Sequence, residues 1–235
     1  MEEHPFRGTY RVWQRESFFR SALNSRVFEA VMRALATPIY VWAEDCIRED
    51  LRTARRVIDI GCGNAIFARR LSESLEGREF TLIDQSASQI EMGAANIEAV
   101  RRRNSCEASV GSANALPYPD NSFDFVLSTG SINLWRSPVG GLEECLRVAK
   151  PGGVIWIFDQ APVKGFVDAL DSLFRLRVFG LGIPGYTLER AREMGDSVFP
   201  EPASIEENGS LYGFRWTKPS AADSKTGDEC VPHSV

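Results

Sequence analysis

The chain has 235 residues, 43% hydrophobic and 25% charged, enough for one sizeable core and short for two domains. Its formal charge of −5, from 27 basic and 32 acidic residues, lacks the basic footprint of a nucleic-acid binder. Five cysteines at 46, 62, 106, 145 and 230 give an odd count without a CxxC pair, which fits neither a zinc site nor a disulfide scaffold, so no metal is expected and a reduced, cytoplasmic setting is.

Met-Glu-Glu-His-Pro opens the chain without a charged n-region and apolar h-region, so no secretory signal is read. No apolar run approaches about 18 residues, so no transmembrane helix is expected. Residues 1–53 read as a helical lead-in: Val27, Phe28, Val31, Met32 and Leu35 recur at helical spacing. Thr37-Pro38 then offers an N-cap and a first-position proline for a second helical segment ending near Leu51. From residue 57 strands and helices alternate: strand 57–61, helix 65–75, strand 79–84, helix 87–103, strand 106–110, strand 123–128, helix 138–149 and strand 153–159. Such alternation calls for a parallel sheet with helices on both faces. Ser86-Ala87-Ser88-Gln89 is a capping box for helix 87–103. Arg101-Arg102-Arg103 closes it, where cations offset the last carbonyls, and is read as a solvated helix end. Phe166, Leu170, Leu173 and Phe174 suggest a further amphipathic helix. The apolar, glycine-broken stretch 178–186 suits the wall of a pocket for an apolar acceptor better than a patch touching lipid or a partner. Residues 203–207 and 211–217 read as closing strands, and 220–235, small and polar, as a disordered tail.

Val57-Ile58-Asp59-Ile60-Gly61-Cys62-Gly63 carries the most information. A strand running into Gly-x-Gly lets bare backbone approach a ligand. The dinucleotide fingerprint wants Gly or Ala where Ile66 stands, so NAD loses ground. Asp84 ends the next strand 21 residues after Gly63, near the about 20 expected for a carboxylate that accepts both ribose hydroxyls.

Two later segments complete a series: Ala115-Leu116-Pro117-Tyr118-Pro119-Asp120-Asn121-Ser122-Phe123-Asp124-Phe125-Val126, and Glu144-Cys145-Leu146-Arg147-Val148-Ala149-Lys150-Pro151-Gly152-Gly153. With Leu82-Ile83-Asp84 and the glycine turn they resemble, in order and spacing, the small-molecule (type 11-like) group of class I S-adenosylmethionine (SAM)-dependent methyltransferases. The resemblance spans about residues 45–160. It implies a Rossmann-like α/β fold: a mostly parallel seven-stranded sheet with an antiparallel last strand, helices on both faces, a helical N-terminal lid over residues 1–53 and a cofactor-binding domain over 54–219. It also implies SAM as cofactor, S-adenosyl-L-homocysteine as product and a small-molecule acceptor. Asp59 would serve the methionine end, with Gly61, Cys62 and Gly63 along the same moiety and Ser128 and Thr129 opposite. Asp84 would take the ribose, and Gln85, Ser112 and Ala113 would lie by the adenine. Two departures stand out: Ala65 replaces a frequent third glycine, and Ser112 replaces an Asp that commonly accepts from the adenine amino group.

A sulfonium methyl is already activated, so no nucleophilic residue is required. The only histidines are His4 and His233, leaving His4, Asp159 at the end of the fifth strand and Tyr186 as candidate bases. Tyr10, Trp13, Phe18 and Phe19 could line the lid or merely fill core. Alternatives left open are a non-catalytic SAM-binding scaffold and a tRNA or protein methyltransferase; oligomeric state is not read.

Overall fold

β-Branched and aromatic runs buried on both faces set the centre of a twisted sheet, and the ends of those runs set the site. The protein is described here from a computed structural model over residues 26–161 and 185–220. Among these residues seven strands form one sheet: β1 (Arg56–Ile60), β2 (Glu79–Asp84), β3 (Ser105–Val110), β4 (Phe123–Thr129), β5 (Ala149–Gln160), β6 (Ser204–Asn208) and β7 (Leu211–Thr217). Their order is β3-β2-β1-β4-β5-β7-β6. The first five are mutually parallel, β7 runs antiparallel to β5, and β6 runs antiparallel to β7. The order reverses between β1 and β4, so the crevice beyond their carboxyl ends is the topological switch point where ligands bind in open α/β sheets.

The helices are α1 (Arg26–Leu51), α2 (Ile66–Ser72), α3 (Ala87–Met92), α4 (Ala94–Arg101), α5 (Pro138–Val148) and α6 (Leu188–Asp196), with a 3-10 turn at Ile132–Leu134. Alternation along each strand sorts the side chains. Val57, Leu82, Phe125, Leu127 and Phe158 pack with Ile39, Ala43 and Ile47 of α1, Phe67 of α2 and Ile97 of α4. On the opposite face Ile58, Ile60, Val126, Ile155, Ile157 and Phe214 pack with Leu142 and Cys145 of α5 and Met194 of α6.

Four boundaries differ from the sequence reading, each for a visible reason. The helix α1 runs unbroken through Pro38. Ile39, Ala43, Ile47 and Leu51, one side-chain row four residues apart, are all buried, and this continuous stripe outweighs the backbone hydrogen bond that proline removes. Helix 87–103 is instead two helices that meet at Gly93. There the chain crosses the glycine turn so closely that a Cβ on Gly93 would lie 2.8 Å from the Asn64 carbonyl oxygen. Asn96 Nδ2 donates to that same oxygen at 2.8 Å. The helix α6 escaped the sequence reading because its buried residues Ala191 and Met194 sit among charges; Thr187 caps it, its hydroxyl accepting from the Arg190 N–H. The strand β5 begins at Ala149 rather than 153, through an irregular register beside Phe123 and Phe125. The expected elements in 1–25, 162–184 and 221–235, including the lid aromatics, His4 and the apolar 178–184, lie outside the described residues.

Two side-chain anchors fix the cover helix and the turn, and each supports a prediction. Asp50, near the end of α1, accepts from Trp156 Nε1 and from Arg215 Nε and Nη2, all at 2.8 Å. Asp50→Ala would strand an indole N–H and a guanidinium half-buried against the sheet. A loss of about 3 kcal/mol is expected in urea unfolding, with no change in the unfolding slope. Gly93→Ala should cost about 1–3 kcal/mol by the same measurement, even though alanine is the better helix former by about 1 kcal/mol, because the methyl meets backbone rather than a side chain that can swing away.

Candidate functional site

The glycine turn after β1 is built from both sides of the sheet. Gly61 and Cys62 N–H groups both donate to the Ile83 carbonyl, at 2.7 and 3.1 Å. Gly61 has φ +75°, and a Cβ there would lie 2.3 Å from Ser131 Oγ. Its small size therefore serves packing within the protein. Gly63, with φ +54°, would meet only Gln89 Oε1, at 3.7 Å; its open side is the one free for a ligand. Ala65, the third-glycine position, has φ 60°. The sequence reading weighed that position by size, whereas its demand is for a left-handed backbone, which costs alanine about 1–2 kcal/mol.

Ser131, not singled out by the sequence, is the pin under this turn. Its Oγ donates to the Ile60 carbonyl at 3.1 Å, accepts from Trp135 Nε1 at 3.1 Å and pairs with Ser128 Oγ at 2.7 Å. Ser128 is wholly buried on that face, and its hydroxyl, paired with Ser131, braces the turn. Thr129, the next residue, points to the opposite face, and its Oγ1 is buried with no hydrogen-bond partner among the described residues.

Asp84 closes the turn from β2. Its Oδ2 accepts from the Gly63 N–H at 2.9 Å, and its Oδ1 from the Ser86 N–H at 2.9 Å. Each oxygen keeps a lone pair for a further donor. The capping box is half formed: Ser86 Oγ accepts from the Gln89 N–H at 3.4 Å, while the Ser86 N–H goes to Asp84 and the Gln89 side chain lies toward Gly63. Burial raises the Asp84 carboxyl above its usual range, against the lowering effect of those two backbone bonds.

Asp59 lies in β1, paired in register with Leu82 and Leu127. Alternation puts Asp59, Asp84 and Thr129 on one face of the sheet, the side covered by α1 and α2. Only 3% of Asp59 is exposed, and among the described residues no hydrogen bond reaches its carboxylate. Burial, with a smaller push from the charge of Asp84, raises its pKa to about 7. A lone buried carboxylate is costly unless a cation or donor meets it. Tyr40 of α1, absent from the sequence reading, borders it: burial, then Asp59 and Cys62, push that phenol to about 12, and its ring stacks on Phe67 with centroids 5.0 Å apart. Cys62 is buried, its thiol donating to the Gly63 carbonyl at 3.6 Å and held well above the usual thiol range by burial; it contributes main chain and bulk, not a thiolate.

On the β3 side, Ser112 Oγ accepts from the Asn114 N–H at 3.2 Å, which shapes a turn and leaves its hydroxyl hydrogen free to donate. Ala113 is buried beside it, and Gln85 is exposed just past Asp84. Of the candidate bases, Asp159 lies in β5 on the other face and Tyr186 packs against the core of that face; His4 lies outside the described residues. The group that the resemblance implies, a nucleoside bearing two positive charges at its amino-acid end, fits this set: an unpartnered buried carboxylate, an open glycine main chain and a second carboxylate with spare lone pairs. Among the described residues no cluster of His, Cys, Asp and Glu could hold a metal ion, and no helix is long and apolar enough to cross a membrane.

Comparison with known proteins agrees with this geometry. Residues 58–157 match a family model described as a methyltransferase domain. The chain is 33% identical over 119 residues to 2-methyl-6-phytyl-1,4-hydroquinone methyltransferase 1 of Oryza sativa subsp. japonica, covering 48% of this chain and 35% of that one. It is 34% identical over 139 residues to the demethylmenaquinone methyltransferase of Geobacillus kaustophilus, covering 57% and 58%. The match thus spans about a third to somewhat over half of these curated relatives. Among solved structures, a SAM-dependent methyltransferase of Thermotoga maritima superposes with a TM-score of 0.65 at 19% identity, over 86% of this chain and 99% of that one, a likeness of fold.

Proposed function

The chain belongs to the class I SAM-dependent methyltransferases, and from that premise we propose that it methylates a carbon of a small aromatic acceptor of the hydroquinone type. The observation that carries the cofactor half of this reading is Asp59, a buried carboxylate that no hydrogen bond among the described residues reaches, one turn from the open backbone of Gly63 and on the same face as Asp84. When bound, SAM supplies a methyl group already activated by positive sulfur. In this reading Asp59 holds the donor's ammonium, the Gly63 main chain lies along its amino-acid part, Asp84 accepts from its ribose, and Thr129 Oγ1 donates from the β4 side. Ser112, Ala113 and Gln85 border the adenine, the unit 54–219 binds the cofactor, and the lead-in 1–53 covers it.

The acceptor half draws on the two relatives, both named for hydroquinone or quinone methylation. An electron-rich ring carbon needs less from a protein base than an alcohol does. Titration calorimetry with SAM, S-adenosyl-L-homocysteine and NAD tests the first half: NAD bound and SAM ignored would end it. Transfer of labelled methyl from SAM to a prenylated 1,4-hydroquinone and a 1,4-naphthohydroquinone tests the second, with tRNA and protein as parallel acceptors. Label confined to RNA or protein would replace the hydroquinone with a macromolecule. No label in any acceptor, with SAM still bound, would leave a cofactor-binding scaffold.

A further inference from the structure

Two buried polar atoms without a partner among the described residues lie on adjacent strands at the far end of β5. Asp159 and Tyr212 are directly opposed in the antiparallel register of β5 and β7, which puts their side chains on one face with Cβ atoms about 5 Å apart. They are 3% and 2% exposed. Asp159 Oδ1 accepts from the Gln160 N–H at 2.7 Å, but Asp159 Oδ2 and the Tyr212 hydroxyl are both buried with no partner among the described residues. The Asn133 backbone N–H, after β4, also donates to the Asp159 carboxylate, and the Tyr186 phenol borders the pair, itself within the field of Arg190 on α6. An acceptor atom and a donor atom on opposed residues of one sheet face, both buried and both without a partner among the described residues, are what a bound hydroxyl group requires: one takes its proton, the other supports its oxygen. Their place is the carboxyl end of β5, beside the switch point and on the sheet face away from Asp59 and Asp84.

We propose that Asp159 and Tyr212 form the receptor for a phenolic hydroxyl of the methyl acceptor, Asp159 Oδ2 taking the proton and Tyr212 donating to the oxygen left behind. The inference rests on the hydroquinone reading and gives its acceptor a docking point. The O–H bond breaks, its proton passes to Oδ2 and its electron pair stays on oxygen, enriching the neighbouring ring carbon, which would form its bond to methyl as the methyl–sulfur bond of the donor breaks and that pair stays on sulfur. That carbon then sheds its own proton to solvent to restore the aromatic ring, and Asp159 returns the first proton to the oxygen, so one proton leaves per methyl gained. Burial holds Asp159 at about 7, within the range where a carboxylate can trade a proton with a phenol at neutral pH. Burial likewise raises the Tyr212 phenol, keeping it a donor.

The test uses p-nitrophenol, whose neutral and ionised forms differ in colour, titrated into the full chain at pH 6.5. Wild type should bind it and ionise it, seen as a gain in the phenolate band. Asp159→Asn should leave the bound probe neutral, and Tyr212→Phe should weaken its binding about tenfold, while both variants keep wild-type SAM affinity by calorimetry. Thermal melts of the apo variants check folding, and Asp159→Asn should melt higher than wild type at pH 8 because it removes a lone buried charge. A bound probe that ionises equally in Asp159→Asn, or a wild type that binds no phenol, overturns the receptor. SAM binding that persists in that case leaves the methyltransferase reading intact, whereas its loss in wild type would strike that reading instead.

Discussion

Asp84→Ala should weaken SAM binding by about 10- to 150-fold, the equivalent of about 1.5–3 kcal/mol for a charge-assisted hydrogen bond, while the chain stays folded. The carboxylate does two jobs that the variant removes together. In the proposed reading it accepts from the ribose, and in the structure it accepts from the Gly63 and Ser86 N–H groups, so in the variant the glycine turn also loses its tie to β2. Asp84→Asn separates these jobs. Its amide oxygen can keep one backbone N–H, but its NH2 group opposes the other, so part of the loss should return and part should not. Calorimetry with SAM and with adenosine makes the separation: a ribose contact predicts losses for both ligands, whereas a purely structural role at the turn predicts a loss for SAM alone. Equal affinity of wild type and Asp84→Ala for both would remove Asp84 from the site.

How much of this was legible in the sequence depends on whether a residue acts through the pattern around it or through a distant contact. The strands β1, β2, β4 and β5 are apolar runs bounded by turn residues, and their alternation with helices made a parallel sheet readable; the strand order, and with it the switch point, came from the fold. Gly63 and Asp84 were singled out by their spacing at strand ends and Asp59 by the family resemblance, and the fold brings the three to one end of the sheet. Gly61 was found for a reason other than its actual one: the spacing flags a glycine, but only the fold reveals that Ser131, seventy residues on, occupies the space a methyl would need. Ser131, Tyr40 and Tyr212 were missed because nothing local marks them. Tyr40 looks like one more residue of an apolar helix face, and Tyr212 like one aromatic in a strand full of them. What each of them touches arises from register and packing across the sheet. The break at Gly93 was hidden for a related reason. A glycine inside a helical pattern is tolerated on propensity alone, and only the Asn64 carbonyl beneath it decides that the helix must step aside.

Asp59 should make SAM binding depend on pH in one direction and folding in the other. In the apo protein its pKa stands at about 7, against 3.8 in an ordinary peptide, with burial the main cause and the charge of Asp84 the lesser. The titratable groups around it are Asp84, Tyr40 and Cys62, and the last two stay protonated through neutral pH. A bound ammonium favours the ionised carboxylate, so its pKa falls on binding and a proton is released whenever the apo group was protonated. Affinity is therefore full above pH 7 and drops about tenfold for each pH unit below it, down to the pKa of the complex. Between pH 7 and 5 the donor's α-amino group, with a reference value of about 7.7–8.0, stays charged and does not confuse the profile. For folding the sign reverses. The native state holds a proton that the unfolded chain gives up between pH 3.8 and about 7, so this residue's contribution to stability declines as pH rises through that window. Asp59→Asn should thus melt higher than wild type at pH 8, by an amount worth up to about 4 kcal/mol, while binding SAM more weakly and with a flat profile over pH 5–7. Calorimetry in buffers of different ionisation heat counts the released proton directly: close to one per SAM at pH 6 in wild type, and close to none in Asp59→Asn. A wild-type affinity that does not change over pH 5–7 would mean that the donor's ammonium never meets this carboxylate.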